Sequence, residues 1–110
     1  MPRPHLDDDG QQVTLDLHGA RVAEALALAL AAAEQSARRG RRTLRLVHGL
    51  STSEAGASRT IKTELADAWD AGSFDRWATD AVRLEGVTIL SLDPAPSPLP
   101  GRLRLADLNP

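Results

Sequence analysis

Two short runs constrain this chain more than any other feature: Val13-Thr14-Leu15-Asp16-Leu17-His18-Gly19 and Leu44-Arg45-Leu46-Val47-His48-Gly49. Each is an apolar run that alternates, reaches a histidine and stops at a glycine, the pattern of a strand closed by a turn. Strands are predicted over residues 13–18 and 43–48. Between them, residues 20–39 carry Val22, Leu26, Leu30 and Ala33 at helical spacing, with Arg38 and Arg39 in the last turn and Gly40 after it. Strand, helix, strand in that order is a βαβ unit, so the two strands are expected to be parallel with a right-handed crossover. Their C-terminal ends then share one edge of the sheet, where open α/β sheets place their sites. Asp16, His18 and His48 are expected to meet there. Asp16 and His18 share one face of the first strand, and a charged face in a βαβ unit calls for an explanation, because both faces are usually covered.

The 110 residues allow one domain with a modest core. The absence of cysteine excludes a disulfide framework, a zinc-thiolate site and a cysteine nucleophile. A net charge of −2 argues against indiscriminate nucleic-acid binding, which leaves local basic clusters to consider. One is Arg38-Arg39-Arg41-Arg42, whose simplest role is to face the negative end of the helix dipole. The other is Arg59 with Lys62. Residues 1–11, with two prolines and Asp7-Asp8-Asp9, are expected to form a flexible N-terminal arm rather than a signal peptide, and His5 falls within it. The domain is placed at 12–108. Its longest apolar run, Ala25 to Ala33, is far short of the ~20 residues a membrane span needs. The expected location is cytoplasmic, away from membranes.

Leu50–Ser58 is short and rich in hydroxyls, and opens a second helix in which Ile61, Leu65, Ala68 and Trp69 share a face. Such a loop caps the helix through Ser51, Thr52, Ser53 or Ser58, or holds an anion on backbone N–H groups; the sequence leaves both open. Residues 70–86 are expected to hold a short helix or ordered loop around Phe74, Trp77, Ala81 and Val82, with Trp69 and Trp77 in the core. Residues 87–92 read as a third strand, 93–101 as a proline-studded loop, and the alternating 102–106 as a fourth strand in a hairpin with the third. The expected fold is α/β (an α+β sandwich): βαβαββ, a mixed four-stranded sheet with two main helices.

Leu15-Asp16-Leu17-His18-Gly19, then a helix, then a strand ending His48-Gly49, then a helix and strands, resembles the Smr (small MutS-related) domain family over about residues 13–108. Asp16 and His18 match the family's first signature. His48 and Gly49 match the second, a Thr or His followed by Gly-x-Gly, in which Ser51 replaces the second glycine here. Thr52, Ser53 and Glu54 follow where glycine and a basic residue are usual. The resemblance implies a fold similar to the C-terminal domain of a bacterial translation initiation factor. It also implies nucleic-acid binding (DNA or RNA), often with a nicking or RNA-cleaving endonuclease activity. Arg59 and Lys62 fall where members often carry basic residues.

Phosphodiester cleavage needs a proton acceptor for the attacking water or 2′-hydroxyl, a proton donor for the leaving oxygen, and positive charge on the phosphate. Asp16, His18 and His48 are the candidate catalytic residues, since imidazole titrates near neutral pH and Asp16 can orient His18. Gly19, Gly49, Ser51, Thr52, Arg59 and Lys62 are the candidate nucleic-acid contacts. A divalent cation (Mg or Mn) held at Asp16 is the alternative source of positive charge. A metal site of Asp16, His18 and His48 has chemically adequate ligands but no short ligand spacing. The rival reading is a non-catalytic module that binds nucleic acid or a partner protein through the same edge. Ser51, the missing basic residue and the acidic balance favour that rival.

Overall fold

The computed structural model describes residues 3–49 and 60–108. In chain order the elements are β1 (His5–Asp8), β2 (Gln12–Asp16), α1 (Val22–Arg38), β3 (Thr43–Val47), α2 (Ile61–Asp70), β4 (Ala78–Arg83) and β5 (Val87–Leu92), followed by a 3-10 turn at Leu105–Leu108. The strands form one mixed sheet in the order β1-β2-β3-β5-β4. β2 and β3 pair in parallel, as the βαβ reading requires, with Leu15 opposite Leu46 and Asp16 opposite Val47. The other three pairings are antiparallel.

The alternation in these strands sorts the sheet into two faces. Val13, Leu15, Leu44, Leu46, Leu90 and Leu92 are buried in one core with Leu65 and Ala68 of α2 and the alanines of α1. On the other face Thr14, Arg45, Ile89 and Val82 lie across neighbouring strands and are half-buried or exposed. The fold is therefore a two-layer α/β sandwich whose second sheet face is open. That answers the question of the charged face on β2: Asp16 lies on the uncovered side. Helix α1 meets the sheet through Ala25, Ala29, Ala32, Ala33, Ser36 and Ala37, whereas Leu26, Leu28 and Leu30 pack partly buried around the core. Methyl side chains let the helix backbone approach the leucine-rich strands closely.

The sheet has five strands rather than the expected four, and three segments explain the difference. Residues 5–8, expected in an arm, form β1. Asp9-Gly10 makes the hairpin turn that joins it to β2: Asp9 Oδ1 accepts from Gln11 and Gln12 N–H at 2.9 and 2.8 Å, and Gly10 takes φ +99°. Residues 78–83, expected within a helix or loop, form β4 in a hairpin with β5. This strand is mostly exposed and carries an irregularity between Ala78 and Asp80, so its period-2 signal is weak. Residues 102–106 are not a strand, because β3 and β4 already occupy both edges of β5. Leu103 and Leu108 instead bury their side chains, and the segment ends in the 3-10 turn.

The cap of α2 also differs from expectation. Thr60 holds it, its Oγ1 accepting from Thr63 N–H at 3.1 Å. Trp69 packs on Phe74 with ring centroids 6.2 Å apart, and Arg38 and Arg76 both lie over Trp77. At the N-terminal pole of β2 and β3, the arginine cluster is largely engaged within the protein. Arg38 pairs with Glu34, and Arg39 contacts Gln35 and Asp107. Arg41 donates to both oxygens of Asp8 at 2.7 and 3.1 Å. Asp8 accepts two backbone N–H groups as well, from Gly10 at 2.9 Å and Leu103 at 2.7 Å, which ties the C-terminal segment to the β1–β2 hairpin.

Candidate functional site

The first signature forms a compact unit at the end of β2. Asp16 Oδ1 accepts from the backbone N–H of His18 at 2.9 Å and faces His18 Nδ1 at 2.6 Å. A carboxylate only accepts, so Nδ1 carries the proton and the lone pair of the neutral ring is at Nε2. Partial burial pushes the Asp16 carboxyl up, but the two His18 N–H groups and the charges of His18 and His5 outweigh it, and the pKa lies below its ordinary value of 3.8. Asp16 is thus ionised at neutral pH and fixes both the tautomer and the direction of the imidazole. The His18 side chain is 49% exposed.

The second signature comes alongside, but its histidine takes a different place. His48 is buried, with Nδ1 donating to Gly49 O at 2.8 Å and Nε2 accepting from Thr88 Oγ1 at 3.0 Å. Burial pushes this imidazole below 6.5; the Gly49 carbonyl opposes the shift, and the charges of Lys62 and His18 add to it. Both ring nitrogens are engaged, and the side chain braces the end of β3 against β5. Gly49 has φ +77°, and a Cβ there would lie 2.9 Å from His18 Nε2, so only glycine lets β3 end this close to the His18 ring. Its N–H is bonded to Gly86 O at 3.0 Å. Gly49 therefore contributes space rather than an N–H donor.

Of the other sequence candidates, Gly19 sits in the exposed turn between β2 and α1 at φ +86°. Lys62 reaches the same pole from the first turn of α2, where Nζ donates to Glu85 O at 3.3 Å in the β4–β5 turn. Ser51, Thr52 and Arg59 lie outside the described residues. The N-cap residue of α1 is Arg21, with no side-chain cap bond, so the positive end of that helix opens next to Gly19. Asp16, His18 and His48 do not converge as metal ligands. His48 is turned to Gly49 and Thr88, and among the described residues no three His, Cys, Asp or Glu side chains are grouped to hold a cation.

Three residues at this pole were missed in the sequence. Thr88 and Gly86 belong to β5 and its preceding turn, and nothing in their local pattern points to the partners they meet. His5 stands opposite Asp16 in the β1–β2 register, with Nε2 4.0 Å from Asp16 Oδ2. The signal for it was Asp9-Gly10, a hairpin dipeptide that folds residues 5–8 back onto β2.

Among the described residues, no helix is long and apolar enough to cross a membrane. No curated protein and no solved structure matches the chain significantly. A family model, the Smr domain, matches residues 15–74, more than half of the 110 residues. That span starts inside the Asp16-Leu17-His18-Gly19 strand end, takes in His48-Gly49, and runs through α2 to Phe74. On this match and on the two signatures meeting at one sheet edge, the chain belongs to the Smr domain family.

Proposed function

We propose that the chain binds nucleic acid at the C-terminal edge of β2 and β3 and cleaves RNA there as an endonuclease. The observation that carries the reading is the Asp16–His18 pair. A carboxylate holds one imidazole nitrogen at 2.6 Å, and the other nitrogen has no hydrogen bond among the described residues, on a half-exposed ring at an open sheet edge. This is the arrangement of an oriented general base. An RNA 2′-hydroxyl is an internal nucleophile that needs only proton transfer and charge neutralisation, and this favours RNA over DNA as the substrate. Arg21 with the open end of α1, and Lys62 on α2, supply positive charge on either side of the edge. His48 acts as a brace that holds Gly49 against His18.

The test is cleavage of a labelled structured RNA beside supercoiled plasmid, with and without Mg²⁺ or Mn²⁺, by the wild type, His18→Ala and Asp16→Asn. RNA cleavage lost in both variants supports the reading. Plasmid nicking lost in both, with RNA intact, moves the substrate to DNA. Absence of any cleavage leaves the non-catalytic binding module that Ser51 and the acidic balance favour, and cleavage that survives both substitutions overturns the assignment of the chemistry to Asp16 and His18. Nucleic-acid binding is then measured directly.

A further inference from the structure

Two proton transfers are needed to break a phosphodiester, and His48 is poorly suited to the second. It is buried, and both its nitrogens are bonded. We propose that His5 is the second proton-transfer residue of this site, working as general acid opposite His18. The inference rests on the cleavage reading above. His5 lies outside residues 15–74, the span matched by the family model.

Three observations carry it. The β1–β2 hairpin sets His5 directly across from Asp16. The Asp16 carboxylate then stands between two imidazoles, with Oδ1 at 2.6 Å from His18 Nδ1 and Oδ2 at 4.0 Å from His5 Nε2. The first contact is a hydrogen bond; the second is too long for one, so the Nε2–H of a protonated His5 is left to be given to a substrate. Finally, the His5 side chain is 71% exposed on the open sheet face, accessible to a bound backbone in a way that His48 is not.

The step balances with these groups. His18 Nε2 takes the proton of the 2′-hydroxyl as that oxygen bonds to phosphorus. The bond from phosphorus to the 5′-oxygen breaks, and its electron pair leaves with the oxygen. Protonated His5 gives its Nε2 proton to that oxygen. The products are a 2′,3′-cyclic phosphate and a 5′-hydroxyl end, and exchange with solvent returns both rings to their starting forms.

A leaving group that needs no proton tests the assignment. Two RNAs are compared, one all-oxygen and one with sulfur at the bridging 5′ position, with the wild type, His5→Ala, His5→Gln and His18→Ala. The expected result is that both His5 variants lose on the order of 10²-fold on the all-oxygen RNA and recover to within about tenfold of wild type on the sulfur substrate. His18→Ala is expected to stay impaired on both. His5 variants that match wild type on the oxygen substrate, or that are equally impaired on both, overturn the assignment. A wild type inactive on both substrates overturns the cleavage reading itself and the role of His5 with it, an outcome distinct from the other two.

Discussion

Asp8 and Asp16 lie on adjacent paired strands, at opposite poles of the sheet, and each meets a nitrogen cation or imidazole. They do opposite things. Asp8 has a side chain 1% exposed, and both its oxygens are occupied by Arg41, with Gly10 and Leu103 N–H groups completing the set. Burial pushes its carboxyl up, but the Arg41 guanidinium and the two N–H groups outweigh this and hold it below 3.8. Nothing is left over for a ligand, and the pair is a clasp. Asp16 is 23% exposed and, among the described residues, bonds through Oδ1 alone, leaving Oδ2 turned to His5 across 4.0 Å. The same chemistry is structural where its hydrogen-bonding capacity is filled, and leaves room for a further partner where some of it stays open. The histidines repeat the lesson: His48 is filled by Gly49 and Thr88, while His18 is half-filled.

The sharpest way to break this contrast is to remove each partner in turn. Asp8→Ala leaves the Arg41 guanidinium without its carboxylate in a nearly closed site, and is expected to cost about 3–5 kcal/mol in chemical denaturation. A loss below about 1 kcal/mol, the value of a surface pair, erases the distinction between the poles. His18→Ala is expected to do the reverse. RNA cleavage should fall on the order of 10²- to 10⁴-fold, while stability stays within about 0.5 kcal/mol, as for an exposed side chain. His48→Ala should lower stability by about 2 kcal/mol, because the Gly49 carbonyl and the Thr88 hydroxyl lose their partner inside the fold.

The pH dependence of stability separates the buried histidine from the carboxylates. The folded pKa of His48 lies below 6.5, so as pH falls past that value the unfolded chain takes up a proton that the folded one refuses. Stability should decline there and level off below the folded pKa, and His48→Ala should flatten that window. For Asp8 and Asp16 the folded pKa lies below 3.8, so their contribution is present above that value and disappears as pH falls through the folded pKa. Thermal melts at stepped pH show the two windows. The smallest effect is Thr88→Val, which removes one hydrogen bond from His48 Nε2 and is expected to cost about 1 kcal/mol.

Much of the fold was legible because local period and turn chemistry coincide. β2, α1, β3, α2 and β5 follow the apolar spacing of their own residues, and the parallel pairing of β2 with β3 follows from the helix between them. Two strands escaped for different reasons. β1 hides behind Asp7-Asp8-Asp9, which reads as a solvated charge run until Asp9-Gly10 is recognised as a turn. β4 is mostly exposed and irregular, so its alternation is faint, and its existence depends on pairing with β5. Of the helical row Val22, Leu26, Leu30 and Ala33 in α1, Ala33 is buried and the other three are half-buried; alanines form most of the buried face, because closeness to the sheet matters there more than side-chain volume.

The sequence by itself determined the Asp16–His18 pair. Asp16 ends β2 and His18 follows two positions later in the turn, and an Asp two residues before a backbone N–H bonds to it locally. Only the tertiary structure decided that the two histidines part company, since that depends on Thr88, forty residues beyond His48, and on Gly49 admitting the His18 ring. Only the tertiary structure, too, brought His5 to Asp16. Strand pairing joins residues by register across a turn, and register is a property of two segments together rather than of either one alone.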